Sequence, residues 1–127
     1  MSTAEIESAI VSYEHVAEAA VIGQADEDSG QSVAAFVTLE GDLEGSDELI
    51  GELREHVAAR IGKLARPKRV VWADDLPKTR SGKIMRRLLR DIAEGRELGD
   101  VTTLRDPAVV EQLDEVVQRR SKEGEEE

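Results

Sequence analysis

The chain has 127 residues, no cysteine, and 28 Asp and Glu against 17 Lys and Arg, which gives a formal net charge of -11. A chain of this length can bury a modest hydrophobic core, and the lack of cysteine excludes disulfides, a thiolate nucleophile and a Cys-ligated zinc site. No apolar run approaches the roughly 20 residues that span a bilayer, and Glu5 and Glu7 stand where a signal peptide carries basic residues, so we expect a cytoplasmic protein without membrane contact.

A helix and a β-hairpin are predicted at the start of the chain. A capping-box pattern at Ser2 and apolar residues at helical spacing predict a helix over residues 3–13. The apolar run 16–23 and the alternating run 32–40 have strand length, and the turn-rich sequence between them predicts a hairpin. The consecutive acids at 26–28 lack an EF-hand pattern, so we interpret them as a solvated turn and predict no metal site.

The second half of the chain continues with a strand and helices. Ser46 is a good N-cap for a second helix, and the segment 69–72 (RVVW) has the composition of a third strand. A strand, helix, strand order predicts a crossover that returns to the same sheet. A third helix is predicted over 84–95 and a fourth from 106, and 122–127 (KEGEEE) are predicted to be a solvated tail.

This order of elements predicts an α+β fold, a small mixed domain with a roughly three-stranded sheet and helices packed on it. The sequence shows no internal repeat and no linker. We therefore expect one domain, in which residues 106–127 are a carboxy-terminal helix and acidic tail.

Charge is distributed unevenly along the chain. Residues 60–90 contain eleven basic and two acidic side chains, a net charge of +9, while the rest of the chain has a net charge of -20. A dense acidic surface with 12 Arg and 5 Lys is typical of a halophile protein, with an ordinary acidic protein as the alternative. The basic segment in such a chain suggests that it meets an anion.

Several familiar catalytic patterns are excluded. A P-loop requires glycine five residues before its GK pair and Ser or Thr after it, but this chain has Pro77 and Ile84 at those positions. His15 and His56 have no sequence partners that would make a catalytic triad, so no role is assigned to them. Ser81 lacks a nearby base and is interpreted as a turn residue.

The remaining candidate is the stretch PKTRSGK. Pro77 fixes one backbone angle, Gly82 permits a sharp bend, and Lys83 then presents a compact positive charge with three hydrogen-bond donors. These residues predict an anion-binding lysine on a glycine loop. The helix behind the loop is expected to turn three arginines toward water or a partner: Arg86, Arg87 and Arg90.

Longer segments of the chain resemble a known family. TAEIESAIV, VAEAAVIG, GQSVAAFVTLE, SDELIGELREHV and LPKTRSGKIMRRLLRDIAEG follow one another from residue 3 to residue 95 in the order of the small carboxy-terminal domain of AMP-forming acyl-CoA synthetases, and LRDPAVVEQL extends the match. Within that family the acetyl-CoA synthetases are the most similar. The resemblance implies that residues 1–105 are a lid domain.

The resemblance also implies a site and its substrates. In that family the lid moves over a large amino-terminal adenylate-binding domain, and the lysine of the SGK motif, here Lys83, helps to form the acyl-adenylate from ATP, with its Mg, and a carboxylic acid. Arg80, Ser81 and Gly82 would then belong to the substrate-binding loop. After a rotation, the lid contributes to the site where coenzyme A forms the thioester. The chain is therefore expected to be incomplete and inactive without that domain.

Two details of the resemblance concern individual residues. A basic residue that acetyl-CoA synthetases place near the 3′-phosphate of coenzyme A aligns with Ala58, which leaves Arg60 and Arg54 as candidates for that contact. A family histidine corresponds to Tyr13, which argues against a cation site there. The family lysine is also a target of reversible acetylation, so the resemblance implies a lysine acetyltransferase and a deacetylase as partners acting on Lys83.

Two other readings stay open at this point. The chain could be a free-standing binding module in which five cations meet an acidic protein or a nucleic acid, although its net charge and single Phe, Tyr and Trp argue against nucleic acid. It could also be a vestigial domain that serves only as an acetylation substrate. The five cations of the module would be Arg80, Lys83, Arg86, Arg87 and Arg90. The acyl group is not predicted, because the acid pocket of the family lies on the other domain.

Overall fold

The computed structural model describes residues 2–26 and 30–126, so the predicted acidic turn at 26–28 lies mostly outside the described residues. The chain divides into two units, Met1–Asp74 and Asp75–Glu127. The first unit contains the sheet and two α-helices, and the second contains two more α-helices. The predicted α+β class is confirmed. The predicted division at residue 105 rests on the family resemblance. The two compact units do not test a family boundary, so this division stays a prediction.

Three strands form one mixed sheet in the order β1 (Val16–Asp26), β2 (Gly30–Leu39) and β3 (Arg69–Trp72). β1 and β2 are antiparallel, with Ala20 opposite Phe36, which confirms the hairpin. β2 and β3 are parallel. Parallel neighbours need a crossover connection, and the predicted helix between the two strands supplies it.

The two helices of the first unit are α1 (Thr3–Val11) and α2 (Asp47–Arg60). Each begins at a serine whose hydroxyl accepts a backbone N–H: Ser2 from Glu5 at 3.2 Å and Ser46 from Leu49 at 3.1 Å. Both helices contribute apolar side chains to the core of this unit, which also takes alternate residues from the strands. Its members include Ile6, Ile10, Val21, Val37, Leu53, Val57 and Val70. A short 3-10 helix at Lys63–Ala65, which the sequence did not predict, follows α2.

The second unit contains α3 (Arg86–Glu94) and α4 (Pro107–Glu126), which contact each other. α3 begins two residues later than predicted, because Ile84 forms a β-bridge with Lys78. It ends at Gly95, whose φ of +70° gives the left-handed conformation that glycine adopts most easily. The backbone of α4 remains helical through most of the predicted tail. None of the helices within the described ranges is long and apolar enough to cross a bilayer.

A pair of glycine substitutions tests the packing of the first unit. An alanine methyl group at Gly45 would overlap the indole ring of Trp72, whereas Gly51, exposed on α2, has open space around its Cα. We expect Gly45→Ala to lower the free energy of unfolding by about 1–3 kcal/mol, because overpacking forces neighbours to move. Gly51→Ala should raise it by about 0.5–1 kcal/mol, because alanine loses less entropy in a helix.

The chain has a single tryptophan, so urea denaturation followed by the fluorescence of Trp72 measures both variants in the unit that they alter. Gly45→Ala should also shift the emission maximum of the folded protein, since the alanine methyl group and the indole ring compete for the same space. Equal stabilities of the two variants would contradict the packing of Gly45 against this ring.

Candidate functional site

The candidate site is a tight hairpin formed by residues 77–85, which we call the lysine loop. Met85 donates its N–H to the Pro77 carbonyl at 2.9 Å, and the bridge between Lys78 and Ile84 closes the base of the loop. The N–H of Thr79 donates to the Lys83 carbonyl at 2.8 Å. Backbone hydrogen bonds between Pro77 and Met85 and between Thr79 and Lys83 therefore hold the two arms of the hairpin together.

Thr79 holds the tip of the lysine loop as well as its base. Its carbonyl accepts the Gly82 N–H at 2.9 Å, and its hydroxyl accepts the Lys83 N–H at 3.1 Å. The Ser81 hydroxyl lies 3.0 Å from that of Thr79. No role was predicted for Thr79 from the sequence, and a hydroxyl that accepts the N–H four residues further on is not among the usual short-range turn patterns.

Gly82 has a φ of +94°, a conformation that side-chain-bearing residues rarely adopt. A Cβ atom at this position would also lie 3.2 Å from Nη2 of Arg105. The predicted need for glycine is thus confirmed by the backbone. The space beside Gly82 is narrow because a second cation from a distant part of the chain, Arg105, lies there.

Arg105 reaches the lysine loop through backbone pairing. Its N–H donates to the Lys78 carbonyl at 2.8 Å, and the preceding residue, Leu104, forms a β-bridge with Thr79. Leu104 is 3% exposed, so this pairing is anchored by a buried side chain. No local sequence signal connects residue 105 with residue 82, and sequence reasoning missed this arginine.

The side chains at the tip of the loop are available to a ligand. Arg80, Ser81 and Lys83 are all exposed. Among the residues that the structure describes, the ammonium group of Lys83 has no hydrogen bond and no ion pair. Lys78 differs, since its side chain is 18% exposed and its Nζ lies 3.4 Å from Oδ1 of Asp75. Of the two lysines in the loop, Lys83 is therefore the one that presents a free charge.

The three helix arginines behind the loop are not equivalent. Arg87 donates to the Asp100 carbonyl at 2.9 Å and lies 3.4 Å from Oδ2 of Asp91, so it ties α3 to the following segment. Arg86 is half-buried and takes part in interactions of its own. Arg90 is exposed. The predicted basic helix face is thus partly used by internal contacts.

Asp100 holds a turn in the segment that Arg87 contacts. The hydroxyl and the N–H of Thr102 donate to Oδ1 of Asp100 at 2.6 and 2.9 Å. These hydrogen bonds, with a smaller contribution from the Arg87 charge, hold the pKa of this carboxyl below its ordinary value. Asp100 therefore stays ionised and bound to its own turn.

The two arginines considered for a coenzyme A phosphate lie in different environments. Nε and Nη2 of Arg54 donate to the carbonyls of Pro67 and Lys68 at 2.9 and 2.7 Å. Arg60, in the last turn of α2, is exposed, and the described residues give it no partner. Arg54 therefore holds the segment before β3 against α2, and the geometry favours Arg60 as the free cation.

His15 and His56, isolated in the sequence, both contact Tyr13, with ring centroids 5.2 and 5.1 Å from its ring. The Ser12 hydroxyl donates to the Ala9 carbonyl at 2.6 Å, so Nε2 of His56, 2.9 Å away, is the donor in its contact with Ser12. Partial burial and a hydrogen bond to Glu52 raise the pKa of Tyr13. These contacts join the end of α1 to α2.

An open cleft beside Trp72 is the other candidate for a site in the first unit. It lies between the ends of β2 and β3 and the loop of residues 41–45. The indole N–H of Trp72 is buried there, and no acceptor for it exists among the described residues. The lining carries three carboxylates: Asp42, Glu44 and Asp74. This charge repels phosphate, so the lysine loop remains the candidate anion site.

Residues 5–83 match the family model described as the AMP-binding enzyme C-terminal domain. A relative from Rubrobacter xylanophilus, named acetyl-coenzyme A synthetase, is 61% identical over 118 residues, which are 92% of this chain and 18% of the relative. A relative of the same name from Streptomyces coelicolor is 58% identical over 111 residues, 87% of this chain and 17% of the relative. The chain thus spans less than a fifth of the curated relatives it matches.

Solved structures with similar folds also include CoA synthetases. The crystal structure of an acyl-CoA synthetase from Brucella canis matches 70% of this chain and 16% of its own chain, with a TM-score of 0.67 and 42% identity. The acetoacetyl-CoA synthetase from Streptomyces lividans matches 94% of this chain and 18% of its own, with a TM-score of 0.77. At 19% identity, this second likeness shows the fold alone.

Proposed function

Because this chain belongs to the AMP-binding enzyme C-terminal domain family, we propose that it is the lid domain of an enzyme that joins acetate, or another short carboxylic acid, to coenzyme A. The names of its relatives support acetate. The observation that carries the proposal is the lysine loop, which presents an exposed and unpaired Lys83 on a hydrogen-bonded hairpin. A large amino-terminal adenylate-binding domain would be its partner.

The role of Lys83 in the first half-reaction follows from electrostatics. A carboxylate oxygen of the acid attacks the α-phosphorus of ATP, the bond to the β-phosphate oxygen breaks, and pyrophosphate leaves with the Mg that accompanies ATP. Two anions must approach each other, and negative charge builds on the phosphorus oxygens. A cation held in place before the reaction stabilises that charge without reorganisation. Arg80, Ser81 and Gly82 would shape the loop around the same anion.

The second half-reaction would use another surface of the lid after a rotation. The thiol of coenzyme A loses its proton and attacks the acyl carbon of the adenylate, the bond from that carbon to the phosphate oxygen breaks, and AMP leaves. Arg60 would contact a phosphate of coenzyme A, because it is exposed, whereas Arg54 is bound to two backbone carbonyls. A charge at the end of a helix, reaching into solvent, suits a contact that forms only in one orientation of the lid.

A chimeric enzyme tests the proposal. The matched segment of the Rubrobacter xylanophilus relative is replaced by this chain, and both half-reactions are measured with acetate. We expect the chimera to release pyrophosphate in an acetate-dependent reaction and to form acetyl-CoA, and the relative's remaining part alone to do neither at a comparable rate. A folded chimera that is inactive in both steps, beside an active parent, would refute the proposed function.

The proposal makes acetylation of Lys83 a means of regulation, because acetylation removes the charge that adenylation needs. Acetyl-Lys83 in protein from the native cell, detected by mass spectrometry, would support an acetyltransferase and a deacetylase as partners. Its complete absence would contradict them. A place in the cytoplasm and adaptation to high salt are further proposals, supported by the acidic composition and the lack of cysteine.

The alternative of a free-standing basic module receives no support. The relatives that are 61% and 58% identical to this chain over the matched 118 and 111 residues are both named acetyl-coenzyme A synthetase. Arg87, one of its five proposed contacts, is engaged with Asp91 and Asp100 inside its own unit.

A further inference from the structure

We infer that Arg105 is a second anion-binding residue of the lysine loop and contacts the polyphosphate of ATP beside Lys83. The inference rests on the proposed function, because it assumes that ATP reaches this loop. It adds a residue 22 positions further along the chain, outside the PKTRSGK motif and outside the matched range 5–83.

The position of Arg105 is fixed by its backbone. Its N–H bonds to the Lys78 carbonyl at 2.8 Å, and Leu104 pairs with Thr79, so the segment runs alongside the first arm of the hairpin. This pairing brings Nη2 within 3.2 Å of the position that a Cβ of Gly82 would occupy. Gly82 thereby allows the backbone turn and also leaves space for the guanidinium group.

The side chain of Arg105 is exposed, and the described part of the chain contains no hydrogen bond or ion pair to its guanidinium group. The adjacent acid, Asp106, does not neutralise it. The Asp106 carboxylate accepts the Ala108 N–H at 3.1 Å and caps the start of α4. Lys83 lies on the hairpin and Arg105 lies on the segment that pairs with its first arm, and among the described residues neither positive charge is neutralised.

The Arg105 guanidinium lies beside Gly82, the residue that precedes Lys83, and an anion bound there would be attracted by both positive charges. The two side chains are also complementary. Lysine acts as a point charge, while the planar guanidinium group can donate two parallel hydrogen bonds to a phosphate. The oxygens of a polyphosphate are spread along several phosphate groups, and one ammonium group cannot contact all of those groups at once. The α-phosphate would thus contact Lys83, and the phosphates that leave would contact Arg105.

The first measurement uses the 127-residue chain and inorganic pyrophosphate. Side-chain NMR signals of Lys83 and Arg105 should shift together in one saturable titration, and those of Arg90, an exposed arginine on α3, should not. Shifts of Lys83 alone, or equal shifts at all three residues, would overturn the inference.

The second measurement uses the chimeric enzyme. Arg105→Ala should raise the KM for ATP and weaken inhibition by pyrophosphate, each by about tenfold, the effect of losing a hydrogen bond to a charged group. Thioester formation from supplied acetyl-adenylate should not change. Arg105→Lys should restore part of the effect, which a purely structural role would not predict, and the matched control Arg90→Ala should behave as the unsubstituted chimera.

These results separate the two proposals. If Lys83→Ala abolishes adenylation and Arg105→Ala leaves the KM for ATP and pyrophosphate inhibition unchanged, Arg105 has no such role and the proposed function stands. If both variants are as active as the unsubstituted chimera, the role of Lys83 in adenylation fails as well, whereas only an inactive unsubstituted chimera refutes the proposed function. Alanine keeps the backbone N–H that bonds to Lys78, and circular dichroism of each variant verifies that the fold is retained.

Discussion

Replacing Lys83 by alanine in the chimeric enzyme is expected to slow formation of the acetyl-adenylate by about 10²–10³-fold, the usual effect of removing one preorganised group that stabilises charge in the transition state. The fold should not change, because the Lys83 side chain is exposed and the hydrogen bonds at this residue involve only its backbone. Acetate-dependent exchange of labelled pyrophosphate into ATP measures this step without the second half-reaction.

Thioester formation from supplied acetyl-adenylate serves as the internal control for Lys83→Ala, since the phosphate chemistry is already complete in that substrate. The matched control variant is Arg90→Ala, which removes one exposed positive charge from the same basic segment. Equal losses in both half-reactions would contradict the assignment of Lys83 to adenylation. Equal losses of activity in the Lys83 and Arg90 variants would instead indicate that the positive charge of the whole basic segment matters, and not a specific contact of Lys83.

The largest expected effect on stability comes from Leu53→Ala. Leu53 lies on α2, is 0% exposed and belongs to the core cluster that α1, α2 and the sheet share. Removing its branched side chain leaves a cavity, and such substitutions lower the free energy of unfolding by about 2–5 kcal/mol. Urea denaturation monitored by Trp72 fluorescence should show a lower midpoint with a similar slope.

Leu64→Ala is the matched control for the core substitution. Leu64 lies in the 3-10 helix Lys63–Ala65 and is 92% exposed, so the same chemical change should alter the free energy of unfolding by less than about 0.5 kcal/mol. A loss in Leu64→Ala as large as that in Leu53→Ala would show that leucine packing in the first unit differs from the one described.

Most of the secondary structure was predictable because its signals are local. Ser46 precedes an amphipathic segment and caps α2, and Arg69–Trp72, with two central valines and a tryptophan, forms β3 at the predicted bounds. The failures arose where a contact from elsewhere competed with local propensity. Ile84 was assigned to a helix from its spacing, but pairing with Lys78 keeps it extended, and α3 begins only at Arg86.

The candidate site also has features that the sequence predicted and features that only the fold shows. The left-handed bend at Gly82 and the exposed Lys83 follow from the order of residues in one short loop, and the sequence predicted both. Arg54 and Arg60 looked alike in the sequence. Only the fold brings the carbonyls of Pro67 and Lys68 to Arg54 and leaves Arg60 in solvent.

The sequence by itself determined the helix caps, the alternating strands and the glycine bend before the lysine, because each depends on backbone preferences and on side chains within a few residues. Only the tertiary structure decided which charges are free. Ion pairs and hydrogen bonds depend on distances between atoms that chain folding brings together. The hydrogen bond from Arg87 to the Asp100 carbonyl and the approach of Arg105 to Gly82 are therefore not visible in any local sequence pattern.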